Sequence, residues 1–182
     1  MFDLDRFKAD CIAVAEERAP VEAIREILTR AVDDPSGVQK AVSESGRAGV
    51  QALHRSSDLT ILNVVWGPGM TVMPHNHNMW AVIGIYSGRE DNIFWRRLPG
   101  EAGRRIEAAG ARALCERDVF PLGKDIIHSV TNPIGRLTGA IHVYGGDFFG
   151  APRSEWDPER LMEQPFDMQK ALRLFEESNR VQ

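Results

Sequence analysis

The 182-residue chain has only two cysteines, Cys11 and Cys115, too few for a disulfide framework, so both are read as reduced thiols of a cytoplasmic protein. No apolar run is long enough to span a bilayer, which sets a membrane role aside. Basic residues are not in excess. Lys and Arg number 22 against 26 Asp and Glu, a net charge of −4, which argues against a nucleic-acid partner. The opening "MFDLDRFKAD" is acidic and amphipathic and lacks the apolar segment of a signal peptide. There are no internal repeats and no low-complexity tract. The expectation is a single domain over 1–182: a helical extension at 1–48, a β-barrel at 50–157 and a helical tail at 158–182.

The first third reads helical. In "DLDRFKADCIAVAEER", Leu4, Phe7, Cys11, Val14 and Ala15 form one apolar stripe. Pro20 opens a second helix, "PVEAIREILTRAV", with Val21, Ile24, Ile27, Leu28 and Val32 on one face. "DDPSG" reads as the turn that ends it, and "VQKAVSES" as one more short helix. From about Val50 the segments become short, rich in Val, Ile, Leu and Trp, and separated by Gly and Pro. "LTILNVVW", "MWAVIGIY", "NIFWRRL", "RIEAAGARAL", "DVFPL", "DIIHSV" and "LTGAIHVY" read as strands. Strands this short and closely spaced mean a sandwich or barrel, and no intervening helices suggest a doubly wound sheet. "DMQKALRLFEESNR" returns to a helix.

The stretch "PHNHNMW" places two of only five histidines, His75 and His77, on either side of Asn76. At the start of a strand, residues two apart share a face, so both imidazoles can point into a barrel while Asn76 points away. Two buried imidazoles need hydrogen bonds or a metal. An HxH pair alone is a weak signal. His128, in a second strand-like segment downstream, makes a three-histidine set that can cover one face of an ion and leave positions open. On donor chemistry alone zinc, iron, nickel and copper all remain. No carboxylate falls within "HNHNMWAVIG", and Glu90 and Asp91, after the glycine turn, read as solvated. Trp66 and Trp80 read as core, with Trp80 also a candidate to line a cavity.

Three motifs, in order over roughly residues 58–158, resemble the thiol dioxygenases of the cupin superfamily, the cysteine dioxygenase and 3-mercaptopropionate dioxygenase family. "GPGMTVMPHNHNMWAVIGIYSGRE" is similar to the first cupin motif, "PLGKDIIHSVTN" to the second, and "AIHVYGGDFFGAPRSEWDPE" to the family's downstream His-x-Tyr segment. The resemblance implies a mainly β cupin fold, a double-stranded β-helix with Fe(II) on His75, His77 and His128. It implies that His142 and Tyr144 support oxygen activation and substrate binding. It also implies that the partners are dioxygen and a small thiol carboxylate, oxidised to its sulfinic acid. The family often has Ser-x-His-x-Tyr where this chain has Ala140-Ile-His142-Val-Tyr144, so the hydroxyl that orients the histidine is missing. The position matching the crosslinking cysteine of animal-type members is Ala81, so no crosslink is expected. A carboxylate calls for an arginine fork. Arg153 resembles the downstream arginine of the mercaptopropionate-type enzymes, and Arg55 the upstream arginine of the cysteine-type ones. His54 is a further candidate for the substrate pocket. Two other readings keep the barrel: a three-histidine dioxygenase acting on a diketone, and a non-catalytic metal-binding cupin.

Overall fold

A computed structural model describes residues 1–17, 19–42, 46–100 and 104–180. The end of the first helical stretch at residue 18, the "SES" of "VQKAVSES", the "EAG" of "PGEAG" and the last two residues of the tail fall outside these. Three helices come first, α1 (Leu4–Val14), α2 (Pro20–Val32) and α3 (Pro35–Val42). Asp3 caps α1 by accepting the Arg6 N–H at 3.0 Å, and Pro20 stands at the first position of α2. "DDPSG" is not only a turn. Asp34 accepts the Gly37 N–H at 3.0 Å, and Pro35 begins α3.

Eleven strands follow among the described residues: β1 (Gly49–Arg55), β2 (Thr60–Trp66), β3 (Thr71–Asn76), β4 (Ala81–Ser87), β5 (Arg89–Arg97), β6 (Ile106–Cys115), β7 (Val119–Leu122), β8 (Ile127–Thr131), β9 (Thr138–Tyr144), β10 (Ser154–Trp156) and β11 (Glu163–Pro165). Helix α4 (Met168–Ser178) closes the described chain. All named pairings are antiparallel. One sheet runs β1-β2-β9-β4-β7 and the other β11-β10-β3-β8-β5-β6. Partners are mostly distant in sequence, as when β9 lies between β2 and β4. Two such sheets face to face are the double-stranded β-helix of the cupin fold. Strands β1, β3, β10 and β11 are not among the segments read as strands in the sequence, and β11 falls within the expected helical tail.

The central strands of the first sheet, β2, β9 and β4, are buried on both faces, which explains their near-continuous apolar sequences. Leu62, Val64, Ile83, Ile85, Ala140 and Tyr144 point into the barrel. Alternate residues Ile61, Val82, Ile141 and Val143 point outward, where Ile24, Leu28, Val32 and Val38 of the helices cover them. Burying each such aliphatic side chain contributes about 1.5–3 kcal/mol. No helix among the described residues is long and apolar enough to cross a membrane. Cys11 is buried beneath the helices, where burial pushes its thiol up to about 12, and Cys115 is exposed.

Gly139 shows how tightly the first sheet is filled. A Cβ there would overlap the ring of Tyr86, whose hydroxyl donates to Asn63 Oδ1 at 2.9 Å. Gly139→Ala is expected to destabilise by about 1–3 kcal/mol through overpacking. A urea denaturation midpoint equal to wild type would contradict this packing.

Candidate metal centre

The three histidines converge. His75 lies at the end of β3 rather than at a strand start, and His77 lies just beyond it. His75 stands directly opposite His128 in the β3–β8 register, after a bulge between Val72 and His75. The ligand atoms of His75, His77 and His128 lie within 4.8 Å of one another, and all three rings are buried. His77 Nε2 is 3.3 Å from His75 Nε2 and 3.2 Å from His128 Nε2. Nitrogen donors about 2.1 Å from one ion stand about 3.0–3.4 Å apart at angles of about 90–110°.

Hydrogen bonding on the far side of two rings fixes what faces inward. His75 Nδ1–H donates to the Met73 carbonyl at 2.9 Å, which leaves a lone pair on its Nε2. His128 Nδ1–H donates to Asn92 Oδ1 at 2.7 Å, with the same result. His77 Nε2 thus sits between two inward lone pairs and can donate to only one of them. A cation resolves this conflict, and the cluster can hold a metal ion. Burial holds the His75 imidazole down to about 4, and holds His77 and His128 well below the usual value, with neighbouring positive charge adding to the effect. All three are therefore neutral at physiological pH and able to serve as ligands.

The asparagines of "HNHN" have separate roles. Asn76 faces away from the cavity and accepts the Ser154 N–H at 2.8 Å, while Asn78 Nδ2 donates to the Pro152 carbonyl at 2.9 Å. Asn78 adopts a φ of 56°, in the left-handed region that asparagine tolerates. Together they grip the chain on both sides of Arg153. The Arg153 guanidinium lies between Phe148 and Phe166, 4.0 and 4.3 Å from their centroids. Its Nη1 is buried and has no hydrogen-bond partner. Burial lowers it to about 10, so it stays charged at neutral pH, and its charge reaches His75, His77 and Tyr144. Arg153 does not itself line the cavity, but both rings that sandwich it do.

The cavity over the histidines has a volume of about 60 Å³. Leu62, Val64, Val72 and Val130 line it from the sheets, and Met168, Ala171, Leu172 and Phe175 close it from the C-terminal side. His142 and Tyr144 face it from β9, and His142 Nδ1 pairs with the Tyr144 hydroxyl at 2.9 Å. Burial raises the Tyr144 phenol above its ordinary range, which keeps it protonated. Ala81 is the direct cross-strand neighbour of Tyr144 and offers no sulfur to it.

Several expectations need correction. Arg55 is exposed, pairs with Asp147 through two hydrogen bonds of 2.8 and 2.9 Å, and rests on Phe149 at 5.1 Å. Asp147 occupies its Nε and Nη2, and Arg55 does not line the cavity. His54 is half-buried on β1 and does not line it either. Trp80 packs among the helix-covered residues, and Trp66 is buried in the core as read and also lines the cavity. Glu90 is not solvated. It is fully buried, accepting Trp66 Nε1–H and Asn92 Nδ2–H at 2.9 Å each, with His142 Nε2 at 3.5 Å from its Oε2. Asp91, one residue on, pairs with Arg89 at 2.7 Å near the surface.

No family model matches the chain. Among solved structures, an RmlC-like cupin with a double-stranded β-helix fold from Methanocaldococcus jannaschii is similar at 12% identity. That match covers 58% of this chain and 86% of the other, with a TM-score of 0.47. An uncharacterised conserved protein with a double-stranded β-helix domain from Klebsiella pneumoniae matches at 14% identity over 71% of this chain and 94% of its own, TM-score 0.44. A recombinant oxalate oxidase in complex with glycolate matches at 15% identity over 57% of this chain and 53% of its own, TM-score 0.42. The chemistry of the centre rests on its own geometry.

Proposed function

We propose that this protein is an iron(II)-dependent dioxygenase that oxidises a small thiol carboxylate to its sulfinic acid. The balance is one thiol plus one dioxygen giving one sulfinic acid, both oxygen atoms ending on sulfur. The observation that carries the reading is the convergence of three neutral imidazoles beside an arginine whose buried Nη1 has no hydrogen-bond partner, with His142 and Tyr144 facing the same cavity. His75, His77 and His128 would hold the metal. When bound, iron(II) supplies a redox-active centre that takes a thiolate and activates dioxygen toward sulfur. Arg153 receives the carboxylate at its free Nη1 and so fixes the distance from carboxylate to sulfur. His142 accepts the Tyr144 hydroxyl and aims the phenolic oxygen into the cavity as a hydrogen-bonding group for the reacting head. The apolar walls exclude bulk water.

No Asp or Glu is among the described residues lining the cavity, so an ammonium group finds no counter-charge there. A buried, unmatched charge is penalised, at least by the about 1–3 kcal/mol of an unsatisfied polar group. 3-Mercaptopropionate is therefore expected to be oxidised with kcat/KM about tenfold or more above that for cysteine. The predominantly apolar lining favours one second reading, a diketone in place of the thiol. Metal analysis of anaerobically purified protein, followed by oxygen-electrode traces with cysteine, 3-mercaptopropionate, cysteamine and a β-diketone, decides between them. Uptake with the diketone alone would establish the second reading. A metal-loaded protein inert to every compound would leave a binding protein.

A further inference from the structure

Glu90 stands where elementary electrostatics disfavours a carboxylate. It is fully buried on β5, in a barrel interior. Its two oxygens reach three parts of the site. Oε1 accepts Asn92 Nδ2–H at 2.9 Å, and Asn92 Oδ1 in turn accepts His128 Nδ1–H at 2.7 Å. This chain of donors fixes the Asn92 amide, and so the His128 tautomer, and draws electron density toward His128 Nε2. Oε2 accepts Trp66 Nε1–H at 2.9 Å, holding the indole that lines the cavity and stacks on Phe175 at 5.3 Å. The same Oε2 stands 3.5 Å from His142 Nε2, too long for a hydrogen bond but close enough to favour Nε2 as the protonated nitrogen. Nδ1 is then the acceptor that faces the Tyr144 hydroxyl.

We propose that Glu90 is the positioning residue of the metal centre, one carboxylate that presets the ligand His128, the His142–Tyr144 pair and the Trp66 wall. Ala140, fully buried on β9, has no hydroxyl to orient His142, and the carboxylate approaches that ring from β5. The inference rests on the metal centre of the proposed function and not on its substrate.

The test uses Co(II) as the metal probe with the full chain. Glu90→Gln keeps the shape but turns one acceptor into a donor that must face Trp66 or Asn92. It is expected to weaken Co(II) binding about 10–100-fold and to shift the visible d–d bands. Asn92→Leu breaks only the arm to His128 and is expected to give a loss of the same order. The double variant should lose little more than either single one. Where oxygen uptake is measurable, kcat falls in Glu90→Gln while KM stays near wild type. A merely structural Glu90 would lower the metal-free Tm and leave the affinity and spectrum of the folded protein unchanged, which overturns the proposal. Should the Glu90 variants not fold, Asn92→Leu decides: wild-type affinity and spectrum overturn the proposal, and the expected loss supports it. Wild-type protein that binds Co(II) yet consumes no oxygen with any thiol defeats the thiol reading alone. Wild-type protein that does not bind Co(II) defeats the metal centre and this proposal together.

Discussion

His77→Ala is expected to empty the metal centre. His77 Nε2 is the atom that stands between the other two, 3.3 Å from His75 and 3.2 Å from His128. Its removal leaves two imidazoles and no third donor within reach among the described residues. Losing a group that only supports a ligand weakens metal binding about 10–100-fold, and losing the ligand itself is expected to exceed the upper figure. The barrel should survive, because the His77 backbone lies beyond the end of β3 and takes no part in the β3–β8 register. The contrast is sharpest in thermal unfolding. Wild-type Tm should rise with added Fe(II) or Co(II), since a ligand bound only by the folded state adds about 2.7 kcal/mol at a hundredfold excess over Kd. The His77→Ala Tm should not move. Iron retained by His77→Ala at wild-type affinity would remove this histidine from the centre.

How far the sequence led depends on which physical rule governs each residue. Period two places His75 and His77 on one face, and the His75–His128 register then follows from the antiparallel pairing of β3 with β8. The same rule applied to "REDNIF" would have turned Glu90, Asn92 and Phe94 inward and Arg89, Asp91 and Ile93 outward. The polarity of the inward set hid it. Here a carboxylate and an amide are buried while Ile93 is 41% exposed, the reverse of what hydropathy expects. The turn before them, with Gly88 at a φ of 84°, looked like an exposed hairpin end, although β5 begins inward immediately after it. Helix α4 was legible from its own periodicity. That Ala171, Leu172 and Phe175 wall the cavity was not, because this depends on where the tail docks. That docking is held by Glu155, buried on β10, which takes Lys170 Nζ at 2.8 Å and the Asp167 N–H at 3.1 Å. Choosing between Arg55 and Arg153 likewise needed Asp147, whose two oxygens occupy the Arg55 fork.

Arg153→Ala is expected to raise KM for thiol carboxylates far more than it changes metal content. The guanidinium is held on two rings at 4.0 and 4.3 Å, with Nη1 buried and unpartnered. A buried donor of a charged group left without a partner is unfavourable for the protein alone, so an anionic ligand at Nη1 gives the arrangement its reason. Removing one member of a buried, hydrogen-bonded charge pair costs about 2–5 kcal/mol, roughly 30- to several-thousand-fold in kcat/KM. Cysteamine separates this role from a general disturbance of the site. It has a thiol and no carboxylate, so its turnover should be insensitive to Arg153→Ala. Arg153→Lys should recover only part of the loss, because an ammonium has no planar fork to lie between Phe148 and Phe166 and cannot bind a carboxylate bidentately. Stability should fall little or even rise, since the substitution also removes the desolvated charge that burial lowers to about 10. An Arg153→Ala protein with wild-type KM for every thiol carboxylate would place the anchor elsewhere. The same loss with cysteamine as with 3-mercaptopropionate would make Arg153 a support for the Phe148 and Phe166 walls rather than the group that reads the acid.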